Sequence, residues 1–211
     1  MSITKHFWEI ITKRRSVRAF QDKDISDDVL KKILKAAYVA PRGSQEKSWD
    51  FIIIRNNDFK LKMQATVKEK ATDLVKKIPS ERQGAVFQKY SNFFTFFTKA
   101  PVIVIVVQKE YKSLLVKILQ KIETPKFMEN ITMVGTQNVA AAIQNILLAC
   151  EAEGVGTCWM TGPMIAQEEL CKLLELNETE KIAAILPMGY PKGNPAKNNL
   201  PSDEEINFRC I

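Results

Sequence analysis

The run Pro101-Val102-Ile103-Val104-Ile105-Val106-Val107 decides the fold. Successive strand residues face opposite sides of a sheet, so an unbroken apolar run describes a central strand covered on both faces. Three further segments read as strands around it: Trp49-Asp50-Phe51-Ile52-Ile53-Ile54, Gly156-Thr157-Cys158-Trp159-Met160 and Ile182-Ala183-Ala184-Ile185-Leu186-Pro187-Met188-Gly189. Helical patterns occupy the intervals between them. No Gly-x-Gly-x-x-Gly follows the first strand, which weakens a dinucleotide-binding, doubly wound reading and favours an α+β chain.

Residues 3–13 place Ile3, Phe7, Ile10 and Ile11 at helical spacing, with Ser2 or Thr4 available as a cap. Asp24-Ile25-Ser26-Asp27 opens a second helix, whose apolar face is Val29, Leu30, Ile33, Leu34 and Ala37 and which ends before Pro41. Residues 58–77 suit an amphipathic helix and 166–175 a shorter one. Residues 131–152 carry the longest apolar helical pattern, with Gly154 suited to its C-terminal cap. Phe87, Tyr90, Phe93, Phe94, Phe96 and Phe97 form an aromatic block that reads as core or as the wall of a substrate site. Residues 109–129, mixed and basic, suit a surface helix or a lid. With no internal repeat and no linker, residues 1–211 read as a single domain, and 190–211 form a polar extension with little core potential of its own.

Composition narrows the function classes. With 45% hydrophobic and 26% charged residues the chain reads as soluble and globular. No apolar run approaches the roughly 20 residues of a membrane span, and the N-terminus lacks the apolar core of a signal peptide, so a cytoplasmic location is expected. Cys150, Cys158, Cys171 and Cys210 show no Cys-x-x-Cys spacing, and His6 is the only histidine, which argues against a metal site. The net charge of +7 raises nucleic-acid binding as a possibility. The lysines at Lys31, Lys32, Lys60, Lys62, Lys68, Lys70, Lys76 and Lys77 are mixed with acids, however, and suit a solvated surface that attracts anionic substrates.

The stretch Arg14-Arg15-Ser16-Val17-Arg18-Ala19-Phe20 carries the chemistry. In an extended backbone Arg14, Ser16 and Arg18 share a side, and the segment from Arg14 to Arg18 spans roughly 13 Å. Two guanidiniums and a hydroxyl on one surface suit a phosphate, which arginine grips with a bidentate fork. An exposed basic turn is the competing reading.

Four separated segments together resemble the FMN-dependent nitroreductase family, over about residues 7 to 200. They are Arg14 to Phe20, close to the family's Arg-Arg-Ser-x-Arg-x-Phe; Ala40-Pro41-Arg42-Gly43-Ser44-Gln45-Glu46-Lys47-Ser48-Trp49; Ala141 to Ala149 leading through Gly154-Val155-Gly156 to Trp159-Met160-Thr161-Gly162-Pro163; and Leu186-Pro187-Met188-Gly189-Tyr190-Pro191. The resemblance implies an α+β fold with a mixed, mainly antiparallel central sheet flanked by helices. It also implies a homodimer with an exchanged C-terminal segment and FMN at the subunit interface.

By the same resemblance, Arg14 and Ser16 match the FMN-phosphate contacts, joined by Arg15, and Arg18 matches the cation near the flavin N1/O2 edge. Arg42, Gly43 and Ser44 match the loop along the pyrimidine ring and ribityl chain. Thr161 and Gly162 match the turn whose backbone N–H faces flavin N5, and Lys197 stands where a second cation reaches the phosphate. Gln45 replaces the family's Asn and can still bond a ring edge; Lys47 and Ser48 replace its Gln and Pro. No catalytic side chain is expected, because the hydride chemistry belongs to the flavin. The implied activity is ping-pong transfer from NADH or NADPH to nitroaromatics, quinones or similar small acceptors. A flavin-binding or sensory protein with little turnover is the alternative.

Overall fold

The computed structural model describes residues 3–43, 47–119, 121, 125–193, 200–207 and 209–210. In chain order its elements are α1 (Ile3–Lys13), α2 (Asp27–Tyr38), β1 (Trp49–Ile54), α3 (Asn57–Lys77), α4 (Glu81–Ser91), β2 (Val102–Gln108), α5 (Leu114–Leu119), α6 (Pro125–Ala152), β3 (Gly156–Thr157), α7 (Gln167–Leu173) and β4 (Lys181–Gly189). The strands form one sheet in the order β1-β2-β4-β3, and each neighbouring pair is antiparallel.

The apolar run in β2 is buried on both sides. Val102, Val104 and Val106 enter a core shared with α2 and α6, while Ile103, Ile105 and Val107 enter a second core built with α3, α7 and the aromatic block. This split, alternating residue by residue, makes a three-layer arrangement with the sheet in the middle.

Local chemistry sets the helix boundaries. The Ser26 side chain accepts from the Val29 N–H at the start of α2, with Asp27 and Asp28 in its first turn complementing the helix dipole. In α3 the Lys60 side chain is buried, and its Nζ donates to the carbonyls of Ala100 (2.9 Å) and Pro101 (2.7 Å). Those bonds tie α3 to the entry of β2, while burial pushes the Lys60 pKa down. Gly154 (φ +68°) ends α6 in the left-handed region that glycine adopts without strain.

Two boundaries differ from the sequence expectation, and one segment gains a structure that the pattern had not assigned. The α6 helix begins at Pro125, where a proline's missing N–H costs nothing in the first turn, and so takes over the end of the 109–129 stretch. The aromatic block is helical, running through α4 into a 3₁₀ turn at Asn92–Lys99. The β3 strand keeps only two residues: Cys158 and Trp159 leave the ladder, and Met160 returns to pair with Ile185. Among the described residues no helix is long and apolar enough to cross a membrane.

Candidate functional site

The Arg14–Phe20 segment follows α1, whose last turn the Arg14 N–H closes by donating to the Ile10 carbonyl (3.0 Å), and is paired to the end of the sheet at Ser16 and Phe20. Ser16 forms a parallel bridge with Thr157, and the Val17 N–H donates to the Thr157 carbonyl at 3.0 Å. Phe20 bridges to Pro191, and the Gln21 N–H donates to the Tyr190 carbonyl at 2.8 Å. Close contact here depends on Gly156, because a Cβ at that position would lie 2.8 Å from the Val17 Cβ. The alternation expected of an extended chain therefore applies from Ser16 onward, while Arg14 is still bonded into the helix end. Beside it, in the last turn of α6, burial raises the pKa of Glu151 while the charges of Lys13 and Arg14 pull it back.

Next to this corner lies a cleft of about 450 Å³, lined by Arg18, the aromatic residues Tyr90, Phe93, Phe94, Phe96 and Trp159, and the Thr161–Gly162 turn. The Arg18 guanidinium donates to the Ser16 carbonyl (3.4 Å) and lies 5.9 Å from the centre of the Phe96 ring. Phe94 packs edge-on against Tyr90 (5.3 Å, 87°) and Phe87 (6.4 Å, 75°). A Cβ on Gly162 would lie 2.7 Å from Phe94 Cε1 and nearer still to Cδ1, so the aromatic wall closes on the turn only because residue 162 is glycine. The block divides: Phe97 is fully buried core, while Tyr90 and Phe93 are exposed and line the cleft.

The second predicted segment lies elsewhere. Gly43 donates its N–H to Asn138 Oδ1 (3.3 Å) on α6, Arg42 is exposed, and the Lys47 ammonium caps the Tyr38 ring at 4.4 Å. Trp49 at the start of β1 is opposite Gln108, which is opposite Lys181, whereas Thr157 is opposite Met188. Trp49, at the end of the loop, and Ser16, in the arginine corner, are therefore about 19 Å apart across the sheet and about 23 Å apart along it. One chain does not bring them together. Ser44, Gln45 and Lys197 lie outside the described residues.

Two contributors escaped the sequence. Trp159 read as part of a buried strand, yet it faces the cleft and is 37% exposed. Asn138, buried on α6, anchors the Gly43 loop; its place in a long apolar helix was the available signal.

A model described as the Nitroreductase family matches residues 11–190. The chain belongs to the Nitroreductase family. It is an oxidoreductase of that family. A nitroreductase relative from Methanothermobacter thermautotrophicus, named "Putative NADH dehydrogenase/NAD(P)H nitroreductase", is 27% identical over 203 residues, covering 95% of this chain and 85% of the relative. The crystal structure of a BluB-like flavoprotein from Clostridium difficile 630 superposes with a TM-score of 0.86 at 29% identity, covering all of both chains. A nitroreductase with bound FMN from Bacteroides fragilis shares the fold, with a TM-score of 0.67 at 22% identity over 96% of this chain and 98% of that one.

Proposed function

We propose that this nitroreductase is an FMN-dependent enzyme that moves hydride from NADH or NADPH to an electron-poor aromatic or quinone acceptor. The observation that carries this reading is the joining of a cationic corner to an aromatic-walled cleft through a single residue, Arg18. The residues fit the cofactor. The cleft volume is that of a small-molecule site, the wall suits a flat ring system, and the buried Thr157 hydroxyl beside Ser16 has no partner. The FMN in the Bacteroides fragilis nitroreductase supports the same choice.

In this reading Arg14, Arg15 and Ser16 hold the phosphate, with Lys197 as a second cation. Arg18 brings positive charge to the end of the ring system that gains negative charge on reduction. Thr161 and Gly162 present backbone N–H groups toward N5. Bound FMN would supply reversible hydride transfer, which none of these side chains can perform. If nicotinamide and acceptor use this same cleft in turn, the kinetics are ping-pong.

The separation of the Arg42–Gly43 loop from the corner calls for a second copy of the chain. We place Arg42, Gly43, Ser44 and Gln45 against the partner's cofactor. Of the 190–211 extension, Tyr190, Pro191 and Lys192 are bonded to Ala19–Gln21 of their own chain, and we place the rest on the partner subunit. Absorbance spectroscopy tests the proposal. The purified protein is expected to be yellow and to bleach anaerobically with NADH or NADPH. A colourless protein that refuses added FMN overturns the proposal, and a yellow one that neither nicotinamide bleaches points to a flavin-binding protein without turnover.

A further inference from the structure

The Thr157 hydroxyl is buried and makes no hydrogen bond. A hydroxyl in that state is costly, since it has given up water and received nothing in return. Valine has nearly the same shape, favours strands and would fill the position without that cost. The position is nevertheless a threonine, in the two-residue strand β3, paired directly with Ser16.

The pairing fixes what the hydroxyl can do. Residues opposite each other in a parallel bridge carry their side chains on the same face, with backbones about 4.8 Å apart. Hydroxyl side chains at such positions bond to one another across strands. The Val17–Thr157 hydrogen bond and the Val17–Gly156 contact hold the register, so Ser16 cannot slip away from Thr157. Thr157 χ1 has more than one staggered well, so its hydroxyl can turn toward the side chain of the paired residue.

We propose that Thr157 is the positioning residue for Ser16: when a phosphate occupies the arginine corner, the Thr157 hydroxyl donates to Ser16 Oγ, leaving the Ser16 proton directed at a phosphate oxygen. Thr157 has this role only if the FMN reading above holds. The cost of the unpartnered hydroxyl is borne by the empty protein and recovered when the phosphate binds.

Four variants and two ligands test this. Fluorescence quenching gives the dissociation constants of FMN and of riboflavin, which lacks the phosphate, for wild type, T157V, T157S, S16A and the S16A/T157V double variant. T157V is expected to weaken FMN binding roughly 3- to 10-fold, the scale of one hydrogen bond, and to leave riboflavin binding unchanged. T157S retains FMN affinity within about twofold, because the hydroxyl remains. In the S16A background T157V adds no further loss. The melting temperature of flavin-free T157V equals or exceeds that of wild type. T157V binding FMN as tightly as wild type, weakening both ligands equally, or losing the same factor with Ser16 absent would each overturn the role. A wild-type chain that binds neither flavin overturns the function itself, and the Thr157 role with it.

Discussion

Replacing Gly162 by alanine isolates the contact that shapes the cleft. The added Cβ would lie 2.7 Å from Phe94 Cε1 and 3.0 Å from Cγ. Favourable carbon contacts lie near 3.5–4.0 Å, so the ring must move by close to an ångström. It has little room, because Phe94 is 8% exposed and is held edge-on by Tyr90 and Phe87. Overpacking of this kind costs about 1–3 kcal/mol. The opposing gain, from a less flexible unfolded chain, is about 0.4–1 kcal/mol. The steric cost wins, and G162A is expected to lose about 1–2 kcal/mol in urea unfolding and to bind FMN more weakly as the wall shifts. The decisive assay is a double-mutant cycle with F94A, which alone costs about 3–5 kcal/mol. With the ring gone the alanine has space, so G162A in the F94A background becomes neutral or slightly stabilising. If the two losses simply add, the Gly162–Phe94 contact is not what requires glycine.

Other perturbations address the remaining parts of the site. R14A is expected to weaken FMN binding by about 1.5–3 kcal/mol, the scale of a charged hydrogen bond, and unchanged cofactor retention during gel filtration would contradict the phosphate corner. A chain ending near Pro191 should elute as a monomer if the extension holds the partner; an unchanged dimer argues against that packing. For Glu151, burial raises the folded pKa above its ordinary 4.5, so the folded state holds its proton longer than the unfolded state. Stability attributable to this group therefore falls as pH rises from about 4.5 through the raised value. E151Q should flatten that part of the urea midpoint against pH profile and match or exceed wild type at pH 7; an unchanged profile would contradict the burial effect.

Much of the architecture was legible because it rests on local chemistry. The opening of α2 at Asp24–Asp27, Gly154 as a helix stop and the two-faced burial of Val102–Val107 each act over a few residues, and each stands where the pattern put it. The aromatic block was legible only as a choice between core and wall. Phe97 and Tyr90 differ in burial because of how α4 and its 3₁₀ turn lie on the sheet, which no periodicity within the block encodes. The short β3 was likewise overestimated: Cys158-Trp159-Met160 is apolar enough for a strand, but the turn to Thr161 draws Trp159 out to the cleft.

By itself the sequence determined the helices and the central strand, since each follows from side-chain preference and short-range spacing. Only the tertiary structure decided that Arg18 faces Trp159 and the aromatic wall, that Thr157 lies beside Ser16, and that Gly43 is at the far corner of the sheet. Those relations join residues far apart in the chain, 95 positions in the case of Gly43 and Asn138. They depend on strand order and register, which are fixed by burying both faces of one sheet at once.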